Sequence, residues 1–156
     1  MVVYRIGKTK YAKDLSGEGA RLHGGRWNHK LTPCIYTAES RALAVLEYTV
    51  NVNVDEVPRA LSITTYEIPD DGILLLRKSD LPGDWAAVPA SSSTKDFGTR
   101  LLKDATYPVI RFPSAVIPWN IIMYSIHCIV TVIILRSSIS GTLFTMFVLN
   151  LNSPAI

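Results

Sequence analysis

The stretch of residues 15–47 constrains the fold more than any other part of the sequence. It reads LSGEGARLHGGRWNHKLTPCIYTAESRALAVLE and holds four of the nine glycines. Glycine adopts positive φ angles and permits close backbone approach, so Gly24–Gly25 predicts a tight turn that brings Arg26, Trp27 and Asn28 to one place. A guanidinium, an aromatic ring and an amide together suit a ligand that carries phosphates and flat rings. The simpler alternative is a hairpin turn with a solvated arginine and a core tryptophan.

A strand and a helix are predicted directly after this turn. The apolar residues from Pro33 to Thr37 indicate a buried strand, and Ser40 is a suitable N-cap for a helix from about Arg41 to Val50. Four side chains follow the spacing of a single helix face, namely Leu43, Leu46, Glu47 and Val50. The pattern therefore predicts an amphipathic helix with a carboxylate on its apolar stripe.

Glu47 has several possible environments on that stripe. A buried carboxylate is costly unless it is paired or hydrogen-bonded, so Glu47 either reaches solvent at the edge or pairs with a structural arginine. The third possibility is a carboxylate that points into a cleft with Arg5 or Arg26 as a neighbour. Perturbed charges of that kind are enriched at functional sites.

The remaining pattern up to residue 112 predicts short strands and few helices. Strands are expected at Val2–Ile6, Ala60–Ile68, Ile73–Leu76 and Tyr107–Phe112, turns at 69–72 and 82–85, polar loops at 11–19 and 91–94, and a short helix at 98–103. This favours an α+β single domain over a regular βαβ alternation. No GxGxxG, Walker A or GxSxG motif occurs, which argues against Rossmann and P-loop nucleotide binding.

Composition excludes several classes of protein. The 156 residues suit one domain, and the net charge of +3 without a Lys/Arg run does not indicate nucleic acid binding. Cys34 and Cys128 lack metal-binding spacing and are expected to be free thiols, with no metal site. The first residues, MVVYRIGKTKY, lack the apolar core of a signal peptide, so the expected location is the cytoplasm.

The composition changes sharply after residue 112. Residues 113–156 contain one charged side chain, Arg136, while all 13 acidic residues lie before them. Val116 to Leu135 is uncharged and is long enough to span a bilayer, for which about 20 residues suffice. A small membrane-associated protein without enzymatic activity is therefore one alternative.

Several motifs in order resemble the RES domain over roughly residues 2–118. They are LSGEGARLHGGRWN, a strand ending in Tyr36, then ALAVLE and FPSAVIP. The resemblance implies an ADP-ribosyltransferase-like fold and a toxin of a bacterial toxin–antitoxin pair, whose partner is an Xre-like helix-turn-helix antitoxin. It also implies destruction of NAD⁺ by hydrolysis or phosphorolysis, with NAD⁺ as the substrate and no prosthetic group. Some members are described instead as ADP-ribosylating a protein.

The resemblance also implies a site. It assigns Arg26, Tyr36 and Glu47 as catalytic residues and Arg5 and Ser114 as NAD⁺-binding residues. We expect the neighbouring Tyr4, Trp27 and Asn28 to bind NAD⁺ as well. Arg5 and Arg26 are expected to bind the pyrophosphate, and the Tyr36 ring is expected to lie against the nicotinamide or its ribose. Glu47 is expected to lie near the ribose C1′, and Ser114 to form a hydrogen bond with the ribose or the carboxamide. The chain departs from the family at Ile6, where some members have an aromatic, and at Leu31, where a small residue is usual.

The chain also departs from the family after residue 118, so we expect a RES-like domain at 1–118 and an atypical, non-native tail at 119–156. Synonymous codons for Trp119 to Arg136 can be chosen so that a shifted frame reads EYNYVFNPLHRDCDNIK, which is similar to the continuation usual in the family. We therefore expect the tail to be an out-of-frame translation. The nucleotide sequence tests this, because codons that cannot spell the shifted motif would exclude it.

Overall fold

The computed structural model describes residues 1–52 and 60–117, together with two strands at 129–133 and 145–150. Its strands are β1 (Val2–Lys8), β2 (Ile35–Ala38), β3 (Leu61–Glu67), β4 (Ile73–Leu75), β5 (Val109–Pro113), β6 (Ile129–Ile133) and β7 (Thr145–Asn150). Its α-helices are α1 (Glu18–His23), α2 (Arg41–Asn51) and α3 (Ser92–Asp104), with short 3₁₀ turns at Thr9–Tyr11 and Lys78–Asp80. The expected α+β class, with short strands and few helices, is confirmed.

One seven-stranded sheet joins these strands in the order β4-β5-β6-β2-β1-β3-β7. Among the described strands, only β4 and β5 pair in parallel. Both β2 and β5 are antiparallel to β6, and Ala38 and Phe112 both pair with Val130. Since β2 and β5 thus run in the same direction and end level with each other, the chain segments that follow them start at one edge of the sheet.

Helix α2 begins at this edge and is capped as predicted. The Ser40 hydroxyl oxygen accepts the backbone N–H of Leu43 over 3.1 Å. Leu43 and Ala44 are buried and pack with Ala38 of β2, and Tyr4 of β1 contacts the same cluster. The helix is therefore held on the face of the sheet that carries the even-numbered residues of β1 and β2.

The prediction of which residues form the buried face of α2 is partly wrong. Leu46 and Val50 are 39% and 57% exposed, whereas Leu43 and Ala44 are 3% and 5% exposed. The small Ala44 allows the helix to approach the sheet, so the buried face is rotated toward Ala44. Glu47 remains on the buried side of the helix and is half-buried.

Two predicted loops are partly helical. Residues 91–94 form the start of α3, because the Ser91 hydroxyl oxygen accepts the N–H of Thr94 over 3.2 Å and caps a helix much longer than the expected 98–103. Helix α1 lies at the end of the loop predicted at 11–19, where a pair of 2.6 Å hydrogen bonds joins Arg21 to Glu18 one turn away. An ion pair at this spacing supports a short helix whose propensity is lowered by its glycine, Gly19.

The apolar tail contributes strands to the sheet. Residues 129–133, which lie inside the predicted span of Val116 to Leu135, form β6 between β5 and β2. No helix within the described ranges is long and apolar enough to cross a membrane. The rest of the tail, including Cys128 and most of the proposed frame slip, lies outside the described residues.

Candidate active site

Glu47 and Ser114 meet at the edge of the sheet where β2 and β5 end. The Ser114 hydroxyl donates to Glu47 Oε1 over 2.6 Å, and the backbone N–H of Val116 donates to the same hydroxyl oxygen over 3.1 Å. Ser114 is 2% exposed. These contacts orient one oxygen of the half-buried Glu47 carboxylate against a buried hydroxyl group.

The environment of Glu47 shifts its acidity. Burial raises the pKa of Glu47 above its ordinary value, although the Ser114 hydrogen bond and the Arg26 charge act in the lowering direction. Desolvation penalises the ionised form of a carboxyl group, and here this penalty is larger than the stabilisation of the ionised form by Ser114 and Arg26. Of the two arginines considered as neighbours, Arg26 is the one whose charge acts on this carboxylate.

Arg26 is anchored by backbone carbonyl groups. Its Nη1 donates to the carbonyl oxygens of Trp85 and Ala87, each over 2.9 Å. Among the described residues its other guanidinium nitrogens form no hydrogen bond, so one edge of the planar fork is available for a phosphate. The anchors lie 59 and 61 residues away in sequence, and no local pattern could have indicated them.

Tyr36 is held at its hydroxyl group beneath the glycine pair. The hydroxyl donates to Asn28 Oδ1 over 2.7 Å and accepts the backbone N–H of Trp27 over 3.0 Å. A Cβ on Gly25 would lie 2.6 Å from this hydroxyl oxygen, so the close approach requires glycine. Burial raises the pKa of Tyr36 well above its ordinary value.

Trp27 and Asn28, both expected to contact a ligand, are buried at 1% and 0% exposure. The Trp27 ring stacks on Phe112 with centroids 4.0 Å apart and on Trp85 with centroids 6.3 Å apart. These neighbours form a core cluster with Ile110 and other residues. The simpler sequence alternative is therefore correct for the tryptophan, which offers no exposed face for a ligand to stack on.

Arg5 and Tyr4 are separated by the alternation of β1. Tyr4 pairs with Ala38 and packs beneath α2, where the Arg41 guanidinium lies 5.3 Å from its ring centroid. The next residue, Arg5, points to the opposite face, because successive side chains alternate along a strand. Its Nη1 donates to the carbonyl oxygen of Asp14 over 3.5 Å. Within the described residues, neither side chain forms a hydrogen bond or ion pair with Glu47.

A separate basic cavity adjoins the glycine turn. It has a volume of about 370 Å³ and is lined by His23, Gly24, Asn28, His29, Lys30 and Lys95. Asn28 is the one predicted site residue in its lining. The cavity and the Glu47 cluster are thus different features of the described structure.

Known proteins of one family resemble this chain over most of its length. The family model described as the RES domain matches residues 2–138. A protein named Toxin Res from Photorhabdus laumondii is 36% identical over 121 residues, which cover 77% of this chain and 78% of that protein. The chain belongs to the RES domain family.

This RES domain has further relatives. Toxin Res of Yersinia enterocolitica is 37% identical over 119 residues, which are 76% of this chain and 78% of that protein. A Prs ADP-ribosylating toxin of a Sphingobium species is 34% identical over 114 residues, 71% of each chain. In the crystal structure of the M. tuberculosis MbcT–MbcA toxin–antitoxin complex, one chain superposes with a TM-score of 0.71 at 21% identity, over 96% of this chain and 83% of that chain. The expected ADP-ribosyltransferase-like fold is confirmed.

Proposed function

We propose that this RES domain is the toxin of a bacterial toxin–antitoxin pair and that it consumes NAD⁺ by breaking the nicotinamide–ribose bond. The observation that carries the proposal is the 2.6 Å hydrogen bond from Ser114 to Glu47, with Arg26 close enough to act on the same carboxylate. Relatives named as toxins support the biological role.

Glu47 supplies the catalytic charge. Departure of nicotinamide leaves positive charge on the ribose C1′, and a carboxylate held nearby stabilises that transition state. Ser114 occupies Oε1, and within the described residues Oε2 has no hydrogen-bond partner, so this oxygen is available to a ribose hydroxyl or an attacking water. The raised pKa of Glu47, which results from burial, suits a group that also accepts a proton from the acceptor.

Arg26 and Tyr36 hold the substrate in this proposal. The unused edge of the Arg26 guanidinium binds the pyrophosphate bidentately, while its Nη1 stays on two carbonyl oxygens. Tyr36 offers its ring to the nicotinamide or its ribose. Arg5 lies on the other face of the sheet, so the proposal assigns the pyrophosphate mainly to Arg26.

The proposed partner is an Xre-like helix-turn-helix antitoxin that blocks the site, and the proposed location is the cytoplasm. A fold neighbour of this chain was solved as a toxin–antitoxin complex, which supports a protein partner of that kind. Contact with nucleic acid is then left to the antitoxin, in keeping with the mild net charge of +3.

Product analysis tests the proposed reaction. The purified chain is incubated with NAD⁺, with and without phosphate, and nicotinamide, ADP-ribose and its phosphate ester are separated by chromatography. Nicotinamide release is expected, and the second product identifies water or phosphate as the acceptor. ADP-ribose attached to protein would instead select the ADP-ribosyltransferase alternative. No nicotinamide release from either this chain or the tail variant described below would overturn the proposal.

A second protein tests the tail. Residues from 119 onward are replaced with the segment read in the shifted frame, and both proteins are assayed for NAD⁺ consumption. Activity in the replaced protein alone would support both the family chemistry and the frame slip, whereas activity in both would show that the tail is tolerated. A membrane-associated protein would instead fractionate with membranes and be indifferent to Glu47.

A further inference from the structure

Asn28 has its side chain fully engaged and fully buried. Its Nδ2 has two protons and lies 2.9, 3.1 and 2.9 Å from the carbonyl oxygens of Ala20, His29 and Thr32, so two of these oxygens share one proton. The residue is 0% exposed. Carbonyl oxygens only accept hydrogen bonds, so the amide nitrogen must face them. The orientation of the amide is therefore determined by its surroundings.

This orientation decides the direction of the hydrogen bond between Asn28 and Tyr36. Oδ1 cannot donate, so the Tyr36 hydroxyl donates its single proton over 2.7 Å. The Trp27 N–H donates into the hydroxyl oxygen over 3.0 Å. The hydroxyl group consequently has no proton left for a substrate, and its position is fixed from two directions.

We propose that Asn28 is a positioning residue that binds the Tyr36 hydroxyl proton and fixes the ring, so that Tyr36 acts on NAD⁺ through its ring and not by proton transfer. This inference rests on the proposed function and deepens it. It also gives Asn28 a role that its burial permits, since the side chain has no exposed surface with which to touch NAD⁺ itself.

Three variants test the pair through the kinetics of NAD⁺ consumption. Tyr36→Phe keeps the ring and removes the hydroxyl group, Asn28→Ala removes the acceptor, and the double variant removes both. Loss of a positioning contact lowers kcat/KM by up to about 100-fold. Because the two groups act as one unit, the double variant should lose no more than the more damaged single variant.

The pH profile separates positioning from proton transfer. Tyr36→Phe should keep the shape of the wild-type profile of kcat against pH, with both limbs at the same pH. The matched control is Tyr66→Phe, because Tyr66 is 1% exposed and its hydroxyl has no partner among the described residues. This control should leave kcat/KM unchanged.

Several outcomes would overturn the inference. Loss of one limb of the pH profile in Tyr36→Phe would show that the hydroxyl transfers a proton, and losses that multiply in the double variant would show that the two groups act independently. If Asn28→Ala does not fold, the pH profile of kcat for Tyr36→Phe alone decides whether the hydroxyl group transfers a proton. If neither the wild-type chain nor the tail-replaced protein releases nicotinamide, the proposed function fails. The shifts in urea midpoint of the three variants then still test the pair, because additive shifts would refute it.

Discussion

Replacing Glu47 with glutamine separates the contribution of this side chain to catalysis from its contribution to stability. Glutamine has the same shape, and its Oε1 can accept the Ser114 hydroxyl that now lies 2.6 Å from the carboxylate. The variant lacks the negative charge that stabilises the transition state. We expect turnover of NAD⁺ to fall by at least ~100-fold, which corresponds to about 2.7 kcal/mol of transition-state stabilisation.

The effect of Glu47→Gln on stability has the opposite sign near neutral pH. Burial raises the pKa of Glu47 in the folded state, so the folded protein binds this proton more tightly than the unfolded chain does. The ionised carboxylate therefore costs stability above its folded pKa, and this cost disappears as the pH falls below its unfolded pKa. The Ser114 hydrogen bond to glutamine is weaker by about 1 kcal/mol than the bond to an ionised carboxylate. Because the pKa of Glu47 is raised despite this hydrogen bond, removing the buried charge should stabilise the protein by more than the weaker bond costs. The variant should be the more stable protein at pH 7.

Two measurements on the same samples check this reasoning. Nicotinamide release gives the activity, and urea unfolding at pH 7 and at acidic pH gives the free energy of unfolding. The difference in stability between wild type and Glu47→Gln should shrink as the pH falls through the folded pKa of Glu47. Glu67→Gln, on the exposed end of β3, is the matched control and should retain wild-type turnover. Turnover near wild type in Glu47→Gln, or lower stability than wild type at pH 7, would refute the assignment.

Three further variants probe the surroundings of the site. Leu31 is 76% exposed and has a φ of 73°, a backbone conformation that costs a leucine about 1 kcal/mol. Leu31→Gly should therefore raise the free energy of unfolding by ~0.5 kcal/mol, after the larger entropy loss of glycine is subtracted. A lower free energy of unfolding than wild type, measured by urea denaturation, would contradict this. Gly98→Ala places a Cβ against the Trp27 carbonyl oxygen and should destabilise the protein by about 1–3 kcal/mol, whereas an unchanged melting temperature would show that α3 can move away. Arg26→Lys replaces the planar fork with a single ammonium, so the KM for NAD⁺ should rise ~10-fold, and an unchanged KM in steady-state kinetics would remove Arg26 from substrate binding.

Local patterns predicted the elements around the site well. The cap at Ser40 and the helix after it were predicted within one residue of the observed Arg41–Asn51, because capping chemistry acts over a few residues. The anomaly at Leu31 was also visible in the sequence, since a small residue usual at that position corresponds to its positive φ of 73°. The length of helix α3 was underestimated, because its first turn consists of serines and a threonine, which also favour loops.

The sequence by itself determined the short strands, the glycine turn, the β2–α2 unit and the family to which the chain belongs, since each of these follows from residues close together in the chain. Only the tertiary structure decided which face of α2 is buried, that Arg26 is held by carbonyl groups 59 and 61 residues away, and that Asn28 turns inward to Tyr36. The physical reason is that burial and long-range hydrogen bonds depend on which strands become neighbours in the sheet. β2 and β5 both pair with β6 and end level with each other, and in this arrangement Ser114 lies beside Glu47.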